Sequence, residues 1–365
     1  MAARALPARR ALGDGAVGAP VAVSIDTGAW PAFDRASVRF LARAATLSAV
    51  LLLALAVTTD ARAYGTSLVF LNGVAVPVSF NDGDSFRVHA GEFNGSQCRL
   101  TGYNTLESFG PAHQWGTWHP YELYVISKMA TVNGVRGTWH CTTEGARDGY
   151  GRLLVECPDL IMSQISRGFA HAYQPDDTPA RPEFIRAQEE AIRQRRGMWA
   201  HGVPDYVMTS VHSLSEDPGR PFHYNRLIST HDGHTESYRH RETYGECEWV
   251  CNREMRADEA AVARAARGMR ERLGDRVADW QNFHLLEFAR RFARTGELPA
   301  YLTGLSQPPI LLELTAARDR GELGPPRQAR GSCMLYVDFE RRYGTLRAPC
   351  LHEHGTVPPD VVEAP

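Results

Sequence analysis

Three extended segments follow one another between residues 67 and 102: SLVFLNGVAVPVSF, SFRVHAGEF and SQCRLTGY. They are rich in Val, Phe and Leu, with Gly and Asn at their ends, so they read as strands joined by turns. Pro120 then opens a helix in which Tyr121, Val125, Met129 and Val132 recur at helical spacing, and Asn133-Gly134 is expected to stop it. Two further strands, GTWHCT (137–142) and GRLLVEC (151–157), flank a turn containing Asp148-Gly149. A short helix follows Pro158 with Leu160, Ile161 and Ile165 inward, and Gly168 closes it. A third helix is expected from about Pro182 to Arg196, with Phe184, Ala187, Ala191, Ile192 and Trp199 on its apolar face. Five short strands interrupted by a helix are compatible with an α+β fold built on a small Greek-key barrel of the OB type.

The 365 residues suggest more than this one domain. Scattered Pro, Gly and Ser place a linker at 204–222, between a first domain at 64–203 and an α+β accessory domain at 223–355. In the latter, YNRLIST and TESYRHRETY read as strands, 257–273 and 279–294 as amphipathic helices, and CMLYVDF with TLRAPCL as a terminal hairpin. Residues 356–365 read as a loose tail.

Arg39 and Arg43 precede the apolar run ATLSAVLLLALAV (45–57), followed by Ala61-Arg62-Ala63. That is a secretory signal pattern within an extended N-terminus, 1–63, with cleavage expected after Ala63; an uncleaved anchor is the alternative. A secreted or periplasmic protein follows, with no stable membrane insertion after cleavage. In such a compartment disulfides are the default state of cysteine. Cys141 and Cys157 are roughly symmetric about the Asp148-Gly149 turn, which suits a cross-strand bridge, with two buried thiols as the alternative. Cys247, Cys251, Cys333 and Cys350 suit two more bridges. Zinc with His231, His234 or His240 is the alternative there, although the spacing fits no standard motif. Cys98 is left over. A formal net charge of −2 excludes a global basic field, and Lys128 is the single lysine, so phosphate contacts fall mainly to arginine.

Residues 81–88, NDGDSFRV, put two carboxylates around a glycine at the mouth of a strand. A polar turn is the simpler reading, and a hard-cation site is the sharper one. Further on stand CRLTGYNTLE (98–107) and RDGYGRL (147–153). If the strands close on one another, these stretches can meet with the inventory that phosphodiester hydrolysis needs: acids for a cation, a base for water and arginines for charge on phosphorus oxygens. Taken singly, Arg99 and Arg152 are also ordinary surface arginines, and Glu107 an ordinary helix-leading acid. Tyr103, Tyr150 and Phe86 read as packing rather than base-stacking residues.

The order D-G-D-S, R-L-x-x-x-N-T-x-E, D-x-Y-G-R-L, over about residues 67–199 and ending in G-M-W, resembles the staphylococcal-nuclease-like (thermonuclease) family. The resemblance implies a five-stranded OB barrel with three helices and Ca²⁺-dependent cleavage of DNA and/or RNA, here expected of a monomer. It implies Asp84 as a calcium ligand with Asp82 nearby, the Thr105 carbonyl as another ligand, and Glu107 as general base. Arg99 and Arg152 become phosphate-binding catalytic arginines, and Tyr173 a residue of the nucleotide pocket. Two positions depart from the pattern. Asn104 stands where the family usually has a second Asp ligand, and Leu106 replaces a usual proline. An amide oxygen binds Ca²⁺ without contributing charge, so a weakened metal site is expected. The alternative is a catalytically weakened or inactive module that binds nucleic acid or protein.

Overall fold

Asn72 and Gly73 both adopt left-handed backbone angles, φ 50° and 81°, as the two-residue turns that suit twisted hairpins require. The computed structural model describes residues 67–343 and 346–352. In it this pair splits the first expected strand into a hairpin, β1 (Ser67–Leu71) and β2 (Val74–Phe80). The expected signal segment, its cleavage after Ala63 and the tail at 356–365 lie outside the described residues.

Next come β3 (Ser85–Val88) and β4 (Gln97–Leu100), which continue the antiparallel meander. The short β5 (Tyr103–Thr105) and β6 (His113–Gln114) leave that sheet. After the helix α1 (Pro120–Arg136), β7 (Trp139–Cys141) joins β1 in parallel and β8 (Leu153–Val155) joins β4 in parallel. The sheet therefore has six strands in the order β7-β1-β2-β3-β4-β8. It curls until its two edges meet at a Thr142–Glu156 bridge, whose N–H···O distances are 2.8 and 2.9 Å. The Cys141–Cys157 disulfide lies beside that bridge. Val69, Val78, Phe86, Leu100, Tyr103 and Val155 fill the curl, each fully buried.

The burial of α1 differs from expectation. Tyr121, Val125, Met129 and Val132 are 39–44% exposed, and the helix buries Leu123, Ile126, Ala130 and Gly134 instead. Both stripes have helical spacing. The one with small residues lets the helix axis approach the sheet: a Cβ at Gly134 would lie 2.7 Å from the Phe80 ring. Asn133-Gly134 thus continues the helix to Arg136 rather than ending it. The helices α2 (Pro158–Ser166) and α3 (Pro182–Arg193) form where expected, with β9 (Ala170–Ala172) between them paired to β5. Tyr150, expected to pack inside, is 82% exposed on the turn before β8.

Within the expected linker, residues 206–210 form the strand β10 (Tyr206–Ser210), which buries Tyr206, Val207 and Met208. It pairs with β11 (His223–Ser229), and β11 pairs with β12 (Thr235–His240). There follow β13 (Trp249–Arg256), α4 (Glu259–Leu273), α5 (Asn282–Thr295) and α6 (Gln307–Asp319), the last a helix not among those expected, with Pro308 and Pro309 in its first turn and Ile310, Leu314 and Ala317 buried. The last elements are β14 (Arg327–Leu335) and α7 (Phe339–Tyr343). The expected terminal hairpin is not formed: β14 pairs with β13 on one side and with β6 on the other, and Pro349–Leu351 is a single 3-10 turn. Because β6 comes from the first half of the sequence, the two halves share a sheet. The described residues fall in one compact unit rather than two domains across an open connection.

The fold is thus mixed α+β, with seven α-helices among the described residues and three disulfides. Cys251 pairs with Cys333 directly across the β13–β14 ladder, and Cys247 pairs with Cys350. With all four cysteines bridged, the zinc alternative loses its sulfur ligands. Cys98 is the free cysteine, buried in the curled sheet, where burial pushes its thiol up to about 12. Among the described residues no helix is long and apolar enough to cross a membrane.

Candidate active site

The D-G-D loop is fixed by what packs on its glycine. A Cβ at Gly83 would lie 2.6 Å from both the Ala130 Cβ and the Thr105 Cγ2. The position thus takes glycine so that α1 and β5 can close on the loop. Tyr103 Oη donates to the Gly83 carbonyl at 2.7 Å, and Gln164 Nε2 donates to it at 3.2 Å. On either side the carboxylates are anchored. Asp82 Oδ1 accepts from the Asp84 N–H (3.1 Å) and from Ser85 Oγ (2.7 Å), and Asp84 Oδ2 accepts from the Thr105 N–H (2.9 Å).

Strand register brings the first arginine to this loop. Ser85 pairs with Arg99 across β3 and β4, and the Arg99 guanidinium forms an ion pair with Asp84 Oδ1. Its other terminal nitrogen donates to Asn104 Oδ1 at 2.5 Å. Asn104 Nδ2 in turn donates to the Thr105 carbonyl at 2.9 Å. The second arginine comes from the turn before β8: Asp148 Oδ2 holds Arg152 through Nε and Nη2, both at 2.7 Å. Two charge-assisted bonds to this one oxygen, with Oδ1 accepting from the Tyr150 and Arg152 N–H groups, give the D-x-Y-G-R spacing its physical sense.

These groups line one cavity of about 560 Å³. Asp82, Asp84, Arg99, Asn104, Thr105, Glu107, Arg152 and Tyr173, the site residues expected from the sequence, all border it. The Arg99 guanidinium carbon lies 5.7 Å from the Tyr173 ring centroid. Sequence reasoning missed Arg226, which reaches the same cavity from β11 and lies 5.9 Å from the same ring. It stands in no recognisable motif, and only the packing of β11 against the first half brings it there.

Charge in the cavity is unevenly matched. Burial together with the adjacent Asp84 carboxylate raises Asp82 to about 7. Burial also opposes ionisation of Asp84, but Arg99 and the Thr105 N–H outweigh it and hold Asp84 below the usual carboxylate range. Glu107 is pushed up by burial and by Asp84, against the weaker pull of Arg342, Arg226 and Arg99. No hydrogen bond reaches its carboxylate among the described residues. The Glu107 backbone is tethered by its N–H to His113 Nε2 at 3.2 Å, and burial lowers His113 to about 3, keeping it a neutral acceptor.

The donor set that could hold a cation here is all oxygen: the carboxylates of Asp84 and Asp82, the Asn104 amide and the Thr105 carbonyl. Oxygen donors are the kind calcium takes, and a cation would favour the ionised form of Asp82, which burial first and Asp84 second disfavour. A cation at Asp84 competes with Arg99, which already engages Asp84 Oδ1 and Asn104 Oδ1. Searches with the sequence return no matching family model and no matching curated protein, so function has to be argued from the chemistry of this cavity.

Proposed function

We propose that the chain is an exported calcium-dependent nuclease that hydrolyses phosphodiester bonds of DNA, RNA or both. The observation that carries this reading is the meeting, in one cavity, of the carboxylates Asp82, Asp84 and Glu107 with the guanidinium groups of Arg99 and Arg152. Three distant sequence segments supply them. The curled sheet, with its edges joined at Thr142 and Glu156, supports an OB-type barrel enlarged by the Asn72-Gly73 hairpin. Three disulfides support a secreted or periplasmic location.

Bound calcium supplies positive charge against the anionic phosphate and the charge that builds on it during attack. Glu107, with an unengaged carboxylate and a raised pKa, takes the proton of the attacking water. Arg99 and Arg152 donate to the phosphoryl oxygens. Their contribution to rate is whatever they bind more tightly in the transition state than in the bound substrate. Tyr173 offers a ring face to a neighbouring base.

One observation favours a second reading, a module that binds nucleic acid without cleaving it: Arg99 already occupies the two oxygens a cation needs on Asp84 and Asn104. The variant Glu107→Gln separates the two. Cleavage falls by roughly 10²–10⁴-fold if Glu107 is the base, while oligonucleotide binding persists. Turnover close to wild type in this variant overturns the assignment.

A further inference from the structure

We propose that Arg226, supplied by the C-terminal half of the chain, binds a second phosphate of a polynucleotide beside the one being cleaved; this rests on the nuclease reading above. Arg226 differs from the two motif arginines in how its charge is matched. Arg99 is paired with Asp84 and Asn104, and Arg152 with Asp148. Arg226 is half-buried, and among the described residues no carboxylate lies within ion-pair distance of it. Its Nε donates to Thr209 Oγ1 at 3.0 Å, which fixes the stem, and among the described residues neither terminal nitrogen has a hydrogen-bond partner. A guanidinium held this way is pre-organised for a phosphate oxygen pair.

Position decides which phosphate it takes. The guanidinium carbons of Arg99 and Arg226 both lie over the Tyr173 ring, at 5.7 and 5.9 Å from its centroid. Arg99 is tied to the Asp84 and Asn104 corner, whereas Arg226 is tied to Thr209 on β10. A nucleotide whose base rests on Tyr173 would therefore have two differently anchored cations within reach of its phosphates, one tied to the acidic corner and one to the β10–β11 sheet. Single-strand sites combine cations and aromatic faces in this way. The C-terminal half, on this account, is a wall of the substrate cleft, and the ligand is a polynucleotide rather than a mononucleotide.

The test is fluorescence-anisotropy binding of a labelled single-stranded oligonucleotide to the full chain in chelator, where cleavage does not interfere. Wild type, Arg226→Ala and Arg226→Lys are compared over a range of salt. Arg226→Ala is expected to weaken binding by roughly tenfold to a hundredfold and to reduce the log–log salt slope by about 0.7. Arg226→Lys restores the slope and part of the affinity, which a merely structural role would not produce. In cleavage assays with calcium, Arg226→Ala loses more on the oligonucleotide than on a nucleoside p-nitrophenyl phosphodiester, which carries one phosphate. Affinity and slope both unchanged in Arg226→Ala overturn the proposal, as do equal losses on the two substrates. Oligonucleotide binding that depends on Arg226 in a wild type that cleaves nothing supports the subsite and sinks the nuclease reading. A wild type that binds no oligonucleotide sinks both.

Discussion

Replacing Asn104 by Asp probes the uncharged side-chain oxygen among the proposed calcium ligands. The amide Oδ1 sits 2.5 Å from an Arg99 nitrogen, and Nδ2 donates to the Thr105 carbonyl at 2.9 Å. Asn104→Asp keeps the shape, removes the Nδ2 contacts with the Thr105 carbonyl and with His171 Nε2 (3.4 Å) and adds a negative charge among the oxygens proposed to hold calcium. Two unit charges 4 Å apart interact by about 4 kcal/mol at an effective dielectric constant of 20, and a divalent ion doubles that. Against this gain stand repulsion from Asp84 and Asp82, tighter pairing with Arg99, and about 1 kcal/mol for each lost hydrogen bond. We expect about 1.4–3 kcal/mol to remain, a roughly tenfold to hundredfold tighter calcium Kd. Isothermal titration of calcium into wild type and Asn104→Asp measures it directly, and turnover at limiting calcium should rise in parallel. An unchanged or weaker Kd in the variant refutes Asn104 as a ligand position. Micromolar or tighter binding by wild type refutes the idea that the missing charge weakens the site.

Gly83→Ala forces a methyl to within 2.6 Å of Ala130 and Thr105, so it should destabilise the fold by about 1–3 kcal/mol and lower activity by displacing the acidic loop; a denaturation midpoint equal to wild type would contradict the packing argument. The pH dependence of calcium binding follows from Asp82, whose folded-state pKa of about 7 exceeds its ordinary value. Between the ordinary value of 3.8 and about 7 the folded state holds a proton that the unfolded chain has lost, so the contribution of Asp82 to stability, full below that window, is lost as pH rises through it. A cation favours the ionised form, so calcium should bind more tightly at about pH 8 than at about pH 5 and release a proton in between. Asp82→Asn should flatten that difference, and a wild-type affinity independent of pH would show that Asp82 does not see the ion.

The site was legible because each motif is local. Gly83 is required by contact with α1 and β5, Asp148 and Arg152 clamp each other across one turn, and Arg99 is set by its register with Ser85. A pattern confined to a few residues survives in sequence. Arg226 does not, since it reaches Tyr173 from a strand far along the chain. The same holds for the β6–β14 pairing, which merges the two expected domains and turns the expected linker into a buried strand. The α1 stripe misled for another reason. Periodicity identifies a helix but not which of two apolar stripes faces inward, and here the small residues Ala130 and Gly134 decide it by permitting close approach. The Cys141–Cys157 bridge was readable because both cysteines flank one turn, whereas the pairing of the other four depends on the β13–β14 ladder.

The most direct measurement is cleavage itself. The protein is incubated with end-labelled single-stranded DNA, duplex DNA and RNA, with calcium or with a calcium chelator, and the products are resolved on a denaturing gel. The account predicts phosphodiester cleavage of at least one of these substrates with calcium, little or none with chelator, and its loss in Glu107→Gln. Intact substrate in every lane, or cleavage that is indifferent to both chelator and Glu107, contradicts it.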